Sequence, residues 1–124
     1  MPRFRASEHI RRRADFTAAY EGGGKASGRY MTVFVRPNAG AGPRLGLAAT
    51  RKLGGAVVRN RAKRRARELF RHFKPAADLD IVIVPRRELV DALYASLEAE
   101  FRALVDRASS RPRRRGGPGT TSSV

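Results

Sequence analysis

Apolar and polar residues along the chain fall into helix- and strand-length blocks separated by glycine and proline. Ala14 to Tyr20 has helical spacing and runs into Gly22-Gly23-Gly24, which predicts a short helix with a glycine stop. Gly28 to Arg36 contains YMTVFV, a strand rich in aromatic and β-branched residues. Pro37 to Pro43 (PNAGAGP) is turn-rich and predicted to close a hairpin onto a second strand, Arg44 to Arg51. Leu53-Gly54-Gly55 breaks the chain before a helix from Ala56 to Lys74, which Pro75 stops. Leu79 to Val84 (LDIVIV) is an apolar run of the kind a buried central or parallel strand shows. Glu88 to Arg107 is an amphipathic helix with Leu89, Leu93, Leu97, Phe101 and Leu104 on one stripe.

The blocks predict an α+β fold, a single-domain α/β sandwich with helices packed on one sheet. With a short first strand its order is α-β-β-β-α-β-α. Residues 1–10 read as a mobile basic N-terminus and 11–107 as the folded domain. Residues 108–124 (ASSRPRRRGGPGTTSSV) are low in apolar residues and rich in Arg, Gly and Ser, a composition that predicts disorder.

Strand alternation separates two sheet faces. Met31, Val33 and Val35, with Leu45, Leu47 and Ala49, form the aliphatic side. Tyr30, Thr32 and Phe34, with Arg44, Gly46, Ala48, Thr50 and Lys52, form the other. Gly46 and Ala48 leave that second face shallow enough for another chain to approach. Phe16 and Tyr20, at i and i+4 of the first helix, are placed to wall it. These rings fit a stacking platform for a nucleic-acid strand, although rings in such a pattern are more often core residues.

Charge changes the picture. The chain has 124 residues and a net charge of +16, with a pI near 11.7. A charge of this size calls for a polyanionic partner. Between Arg44 and Arg71 there are ten Lys/Arg and one acid, Glu68. On a helical wheel Val58, Ala62, Ala66, Leu69, Phe70 and Phe73 share one side. Arg59, Lys63, Arg67 and Arg71 form an i, i+4 row beside them, flanked by Asn60 and Arg64. One face therefore serves a core and another suits closely spaced phosphates. Arg61 and Arg65 fall on the far side and read as peripheral. The Gly54-Gly55 break is a turn and also offers free N–H groups to a phosphate.

Several chemistries find no support. The sequence has no cysteine, hence no disulfide or thiolate metal site, which fits an intracellular, cytoplasmic protein. It has neither a long apolar run for membrane insertion nor a signal-peptide pattern. His9 and His72 lack an evident Ser or carboxylate partner. Asp78 and Asp80 are the closest acid pair; a metal site is conceivable there, and strand-end solubility is the simpler account.

Asp15-Phe16 with Tyr20, the run RLGLAATRKLGGAVVRNRAKRRARELFR and the strand DIVIV together resemble the protein component of bacterial ribonuclease P over Arg11 to Val105. The centre of the likeness is Arg59-Asn60-Arg61 followed by Lys63-Arg64, Arg67-Glu68 and Phe70-Arg71. The resemblance implies a subunit without catalytic residues of its own. It binds the ribonuclease P catalytic RNA and assists Mg²⁺-dependent endonucleolytic removal of the 5′ leader from precursor tRNA. The Mg²⁺ is held mainly by the RNA subunit and the substrate, and the complex is an RNA–protein heterodimer. Matched by position, Arg59, Asn60, Lys63, Arg64, Arg67 and Arg71 contact the RNA subunit. Phe16, Tyr20 and Phe34, with Thr50, Arg51 and Lys52, line the leader cleft. The resemblance also implies a left-handed crossover through the basic helix, against the usual right-handed rule. Thr50-Arg51-Lys52 stands where Ser-Lys-Lys is common, keeping hydroxyl and charge. A ribosomal protein or RNA chaperone would share the charge but not both motif strings. A helix-type DNA regulator would need more base-reading side chains than Asn60. A self-sufficient nuclease would need clustered acids or histidines.

Overall fold

The computed structural model describes residues 9–10, 13–40, 42–73 and 78–110. Residues 1–8 of the N-terminus expected to be mobile over 1–10, the helix stop at Pro75, and residues 111–124 of the tail expected to be disordered over 108–124 lie outside the described residues. Its elements are α1 (Arg13–Gly22), β1 (Gly24–Ser27), β2 (Met31–Pro37), β3 (Arg44–Leu47), α2 (Ala56–His72), β4 (Leu79–Pro85) and α3 (Tyr94–Ser110). Short 3-10 turns stand at Arg51–Leu53 and Arg87–Leu89. This is the α+β order expected.

The sheet order is β1-β2-β4-β3. β4 lies antiparallel to β2 and parallel to β3. Here the hairpin expected between β2 and β3 is corrected. β4 is buried on both sides at Ile81, Val82 and Ile83, so it takes the centre and separates the two strands. The 37–43 loop instead crosses over the start of β4. Asn38 donates its backbone N–H to the Asp78 carbonyl at 3.1 Å, and Gly42 donates to Asp78 Oδ1 at 2.9 Å. The hairpin actually formed is β1–β2, with Ser27 opposite Thr32.

α2 and α3 cover the aliphatic face. Met31, Val33, Val35, Leu45, Ile81 and Ile83 of the sheet form one core with Ala62, Ala66, Leu69 and Phe70 of α2 and Leu97, Phe101 and Leu104 of α3. At roughly 1.5–3 kcal/mol per fully buried large apolar side chain, this core is the main source of stability. α1 covers the opposite face, where Ile10, Ala19 and Val82 make a smaller cluster.

Polar ties finish the packing. Glu100 of α3 accepts the N–H groups of Arg29, Tyr30 and Met31 at 2.8, 2.7 and 3.1 Å. Arg65 of α2 donates to the carbonyls of Val90 and Ala92 at 2.8 and 2.6 Å, and more weakly to Leu89 at 3.3 Å. Arg65 is therefore no peripheral charge. It takes carbonyls that a continuous helix would have used internally, and α3 begins at Tyr94 rather than at Glu88. Leu93, expected on the core stripe, precedes the helix and is 77% exposed.

The second strand also ends early. After Ala48, which still donates to Ile83 at 3.0 Å, the chain closes a turn through Leu53 N–H to the Thr50 carbonyl at 3.0 Å. The domain reaches further at both ends than the sequence limits. Ile10 donates to the Leu45 carbonyl at 2.8 Å and is buried, and α3 continues through buried Ala108 to Ser110.

Candidate nucleic-acid interface

The α1 side of the sheet brings three of the expected residues together. The Phe16 and Tyr20 ring centroids are 6.3 Å apart, and Tyr20 meets Phe34 edge-on at 4.8 Å. Lys25 places its ammonium 5.7 Å from the Phe34 centroid. Phe16 and Phe34 are half-buried, packed against Ile10, Ala19 and Val82, while Tyr20 stays 41% exposed. The rings thus take part in a small core and still present area outward. Burial pushes the Tyr20 phenol above its ordinary value, so it is a neutral hydroxyl near pH 7.

Gly46 explains how Phe16 fits. A Cβ there would stand 2.9 Å from Phe16 Cε1 and 3.2 Å from Ile10 Cβ. The space expected to admit a foreign strand is filled by the protein's own Phe16 ring. Thr50, Arg51 and Lys52 are exposed beyond Ala48, which packs on the same cluster. No hydrogen bond or ion pair links these three side chains to the ring trio among the described residues.

The basic helix presents the second surface. Asn60 and Arg64 are exposed, and Arg59, Lys63, Arg67 and Arg71 are half-buried at its flank. Arg71 donates to Glu68 at 2.9 Å. Arg59, Lys63, Arg64 and Arg67 make no ion pair among the described residues, so their charge is not cancelled nearby. The α2 N-terminus adds to the field. Gly55 caps it without a side chain, and its first turn holds no acid. Gly54 has φ +146°, and a Cβ there would press on Val58 and on Arg87, which donates to the Leu53 carbonyl at 3.1 Å.

The acid pair at the start of β4 is not solubilising at Asp80. Its carboxylate is fully buried. Oδ1 accepts Arg44 Nε at 2.7 Å and Asn38 Nδ2 at 2.8 Å; Oδ2 accepts Arg44 Nη2 at 2.8 Å and Arg36 Nη2 at 2.9 Å. Burial alone would raise its pKa. The hydrogen bonds from Arg44 and Asn38, the Arg44 charge and the Arg36 hydrogen bond outweigh it and hold the carboxyl below its ordinary range. Sequence reasoning missed this network; the one signal was an acid inside an apolar strand. Among the described residues no three His, Asp or Glu side chains group to hold a metal, and Asp80 is committed to arginine. His72 Nδ1 lies 3.2 Å from Tyr94 Oη on the surface, and half-buried His9 pairs with Leu45.

The fold and its charges define a small α+β domain with a polycationic helix and a cluster of aromatic rings on opposite sheet faces. The family profile for ribonuclease P matches residues 4–109. The chain is 42% identical to the ribonuclease P protein component of Desulfovibrio desulfuricans over 104 residues, covering 79% of this chain and 80% of that one. It is 38% identical to the protein of the same name from Citrifermentans bemidjiense over 98 residues, covering 77% and 84%. Among solved structures, the RNase P protein of Staphylococcus aureus superposes with a TM-score of 0.70 at 29% identity, over 80% of this chain and 93% of that one. That of Thermotoga maritima gives 0.68 at 32% identity, over 77% and 93%. The chain belongs to the ribonuclease P protein family. Its place is therefore in tRNA processing, as the protein component of a ribonucleoprotein nuclease with an RNA partner. No helix among the described residues is long and apolar enough to cross a membrane.

Proposed function

We propose that the protein binds the catalytic RNA of ribonuclease P through α2 and the 5′ leader of precursor tRNA through the α1 cleft, as one half of a cytoplasmic RNA–protein heterodimer. The cations Arg59, Lys63 and Arg67 of the row, with flanking Arg64, have no acid partners among the described residues and carry this reading. Asn60 adds a hydrogen-bonding group, and Arg71 contributes less because Glu68 already pairs with it. Each phosphate neutralised steepens the salt dependence of assembly by roughly 0.7–0.9 of a power of salt.

Phe16, Tyr20 and Phe34 supply ring faces and edges for unpaired leader bases, and Thr50, Arg51 and Lys52 supply a hydroxyl and two cations for its phosphates. The protein contributes positioning and charge neutralisation. The bond broken would be a phosphodiester, cut by hydrolysis, with the Mg²⁺ for that step held by RNA and substrate. Phe16→Ala tests the cleft. Removing one stacking ring should weaken precursor tRNA binding by roughly fivefold to 150-fold, at about 1–3 kcal/mol per stacked base. Mature tRNA, which has no leader, should bind unchanged. Equal loss for both would refute the cleft assignment.

A further inference from the structure

The apolar anchorage of α1 is small, one fully buried residue and the half-buried Phe16. The helix has ten residues, and Ala19 is its buried one. A helix this short is marginal alone, so its position over the sheet depends on other ties. One tie is at its first turn. Arg36, Asp80 and Arg44 stand in register across β2, β4 and β3, on the face that α1 covers. Asp80 accepts two hydrogen bonds from the Arg44 guanidinium and one from that of Arg36. Each Nη2 then also faces Asp15 of α1, at 3.9 Å from Arg36 and 3.7 Å from Arg44.

We infer that Asp15 is a positioning residue for the aromatic cleft, anchoring α1 to an arginine pair that buried Asp80 holds rigid; the inference rests on the leader-binding reading of that cleft. An ordinary surface ion pair gains little because two long side chains must be ordered to make it. Here Asp80 has already ordered both arginines, so Asp15 meets a preformed partner. Two carboxylates and two guanidiniums also cancel in charge, and an acid in the first turn suits the helix dipole. The clasp lies one row from the rings. Gly46, under Phe16, is two residues along β3 from Arg44, and Phe34, against Tyr20, is two residues before Arg36 on β2. A shift of the α1 N-terminus therefore moves Phe16 first, since it is the next residue after Asp15.

Asp15→Asn tests this in the protein reconstituted with a ribonuclease P RNA, with Phe16→Ala alongside. Precursor and mature tRNA affinities are measured on the complex. In the free protein, nuclear Overhauser contacts between the Phe16 ring and Gly46 Hα report the ring position. Asp15→Asn should weaken those contacts and lower precursor affinity by about threefold to tenfold, a fraction of one stacking interaction. Assembly with the RNA subunit and mature tRNA affinity should not change. If the contacts or the preference for precursor persist in Asp15→Asn while Phe16→Ala loses the preference, Asp15 does not position the cleft and the cleft reading stands. If Phe16→Ala also keeps the preference, the cleft reading falls and this inference with it. Equal loss for both tRNAs in Asp15→Asn means general destabilisation and overturns the positioning role.

Discussion

The carboxylate of Glu100 occupies the space that a side chain on Gly28 would fill. From there it accepts three consecutive backbone N–H groups of the β1–β2 turn, binding α3 to the far edge of the sheet. Glu100→Ala leaves those donors without their acceptor, and hydrogen bonds to a charged group contribute about 1.5–3 kcal/mol each. With part of the turn open to water, a loss of about 2–3 kcal/mol in urea unfolding is expected. Gly28→Ala should destabilise as well, because its methyl displaces the carboxylate. Wild-type stability in both variants would show that the turn holds itself.

Arg64 and Arg65 are sequence neighbours with opposite duties. Arg65→Ala should cost about 1.5–3 kcal/mol, since the Val90 and Ala92 carbonyls lose a charged donor. Arg64→Ala, exposed and without an ion pair among the described residues, should leave stability within about 0.5 kcal/mol. It should instead weaken assembly with the RNA subunit and flatten its salt dependence. Denaturation of both variants, beside RNA titrations at several salt concentrations, separates the two roles. A stability loss confined to Arg64→Ala would invert the assignment.

Asp80 gives stability an acid limb. Its folded pKa lies below the unfolded value of about 4. The stabilisation it provides is complete above that unfolded value and is lost as pH falls through the folded one. The melting temperature should therefore hold above about pH 5 and fall below about pH 4. Asp80→Asn should lower the plateau, by about 3–5 kcal/mol for a broken buried pair, and make the acid limb shallower. An unchanged acid limb in Asp80→Asn would assign the pH dependence to other carboxylates.

Much of this architecture was legible because local pattern decided it. YMTVFV alternates, LDIVIV is apolar throughout except at Asp80, and α2 carries its core on one side, so the elements and most core residues could be placed. Pairing could not, because the length of the 37–43 loop permits a hairpin. What forbids it is the burial of β4 on both faces, a property of the whole sheet. The leucine stripe runs on through Leu93, but Arg65 holds the Val90 and Ala92 carbonyls and the helix begins only at Tyr94. Asp80 and Arg65 share one reason for being missed. Their partners are distant in sequence, so a charge that looked like surface decoration is held inside by groups no local window contains. The rings of Phe16, Tyr20 and Phe34 were legible as a group. That Gly46 seats Phe16, rather than leaving a vacant floor, required the packing.

The proposed function makes this chain the protein half of a ribonucleoprotein whose chemistry resides in RNA. The most direct measurement is reconstitution of 5′-labelled precursor tRNA cleavage at low Mg²⁺, comparing protein alone, a bacterial ribonuclease P RNA alone, and the two together. Cleavage at the mature 5′ end is expected only with both components present. Cleavage by the protein alone, or RNA binding with no gain in cleavage, would contradict the proposed function.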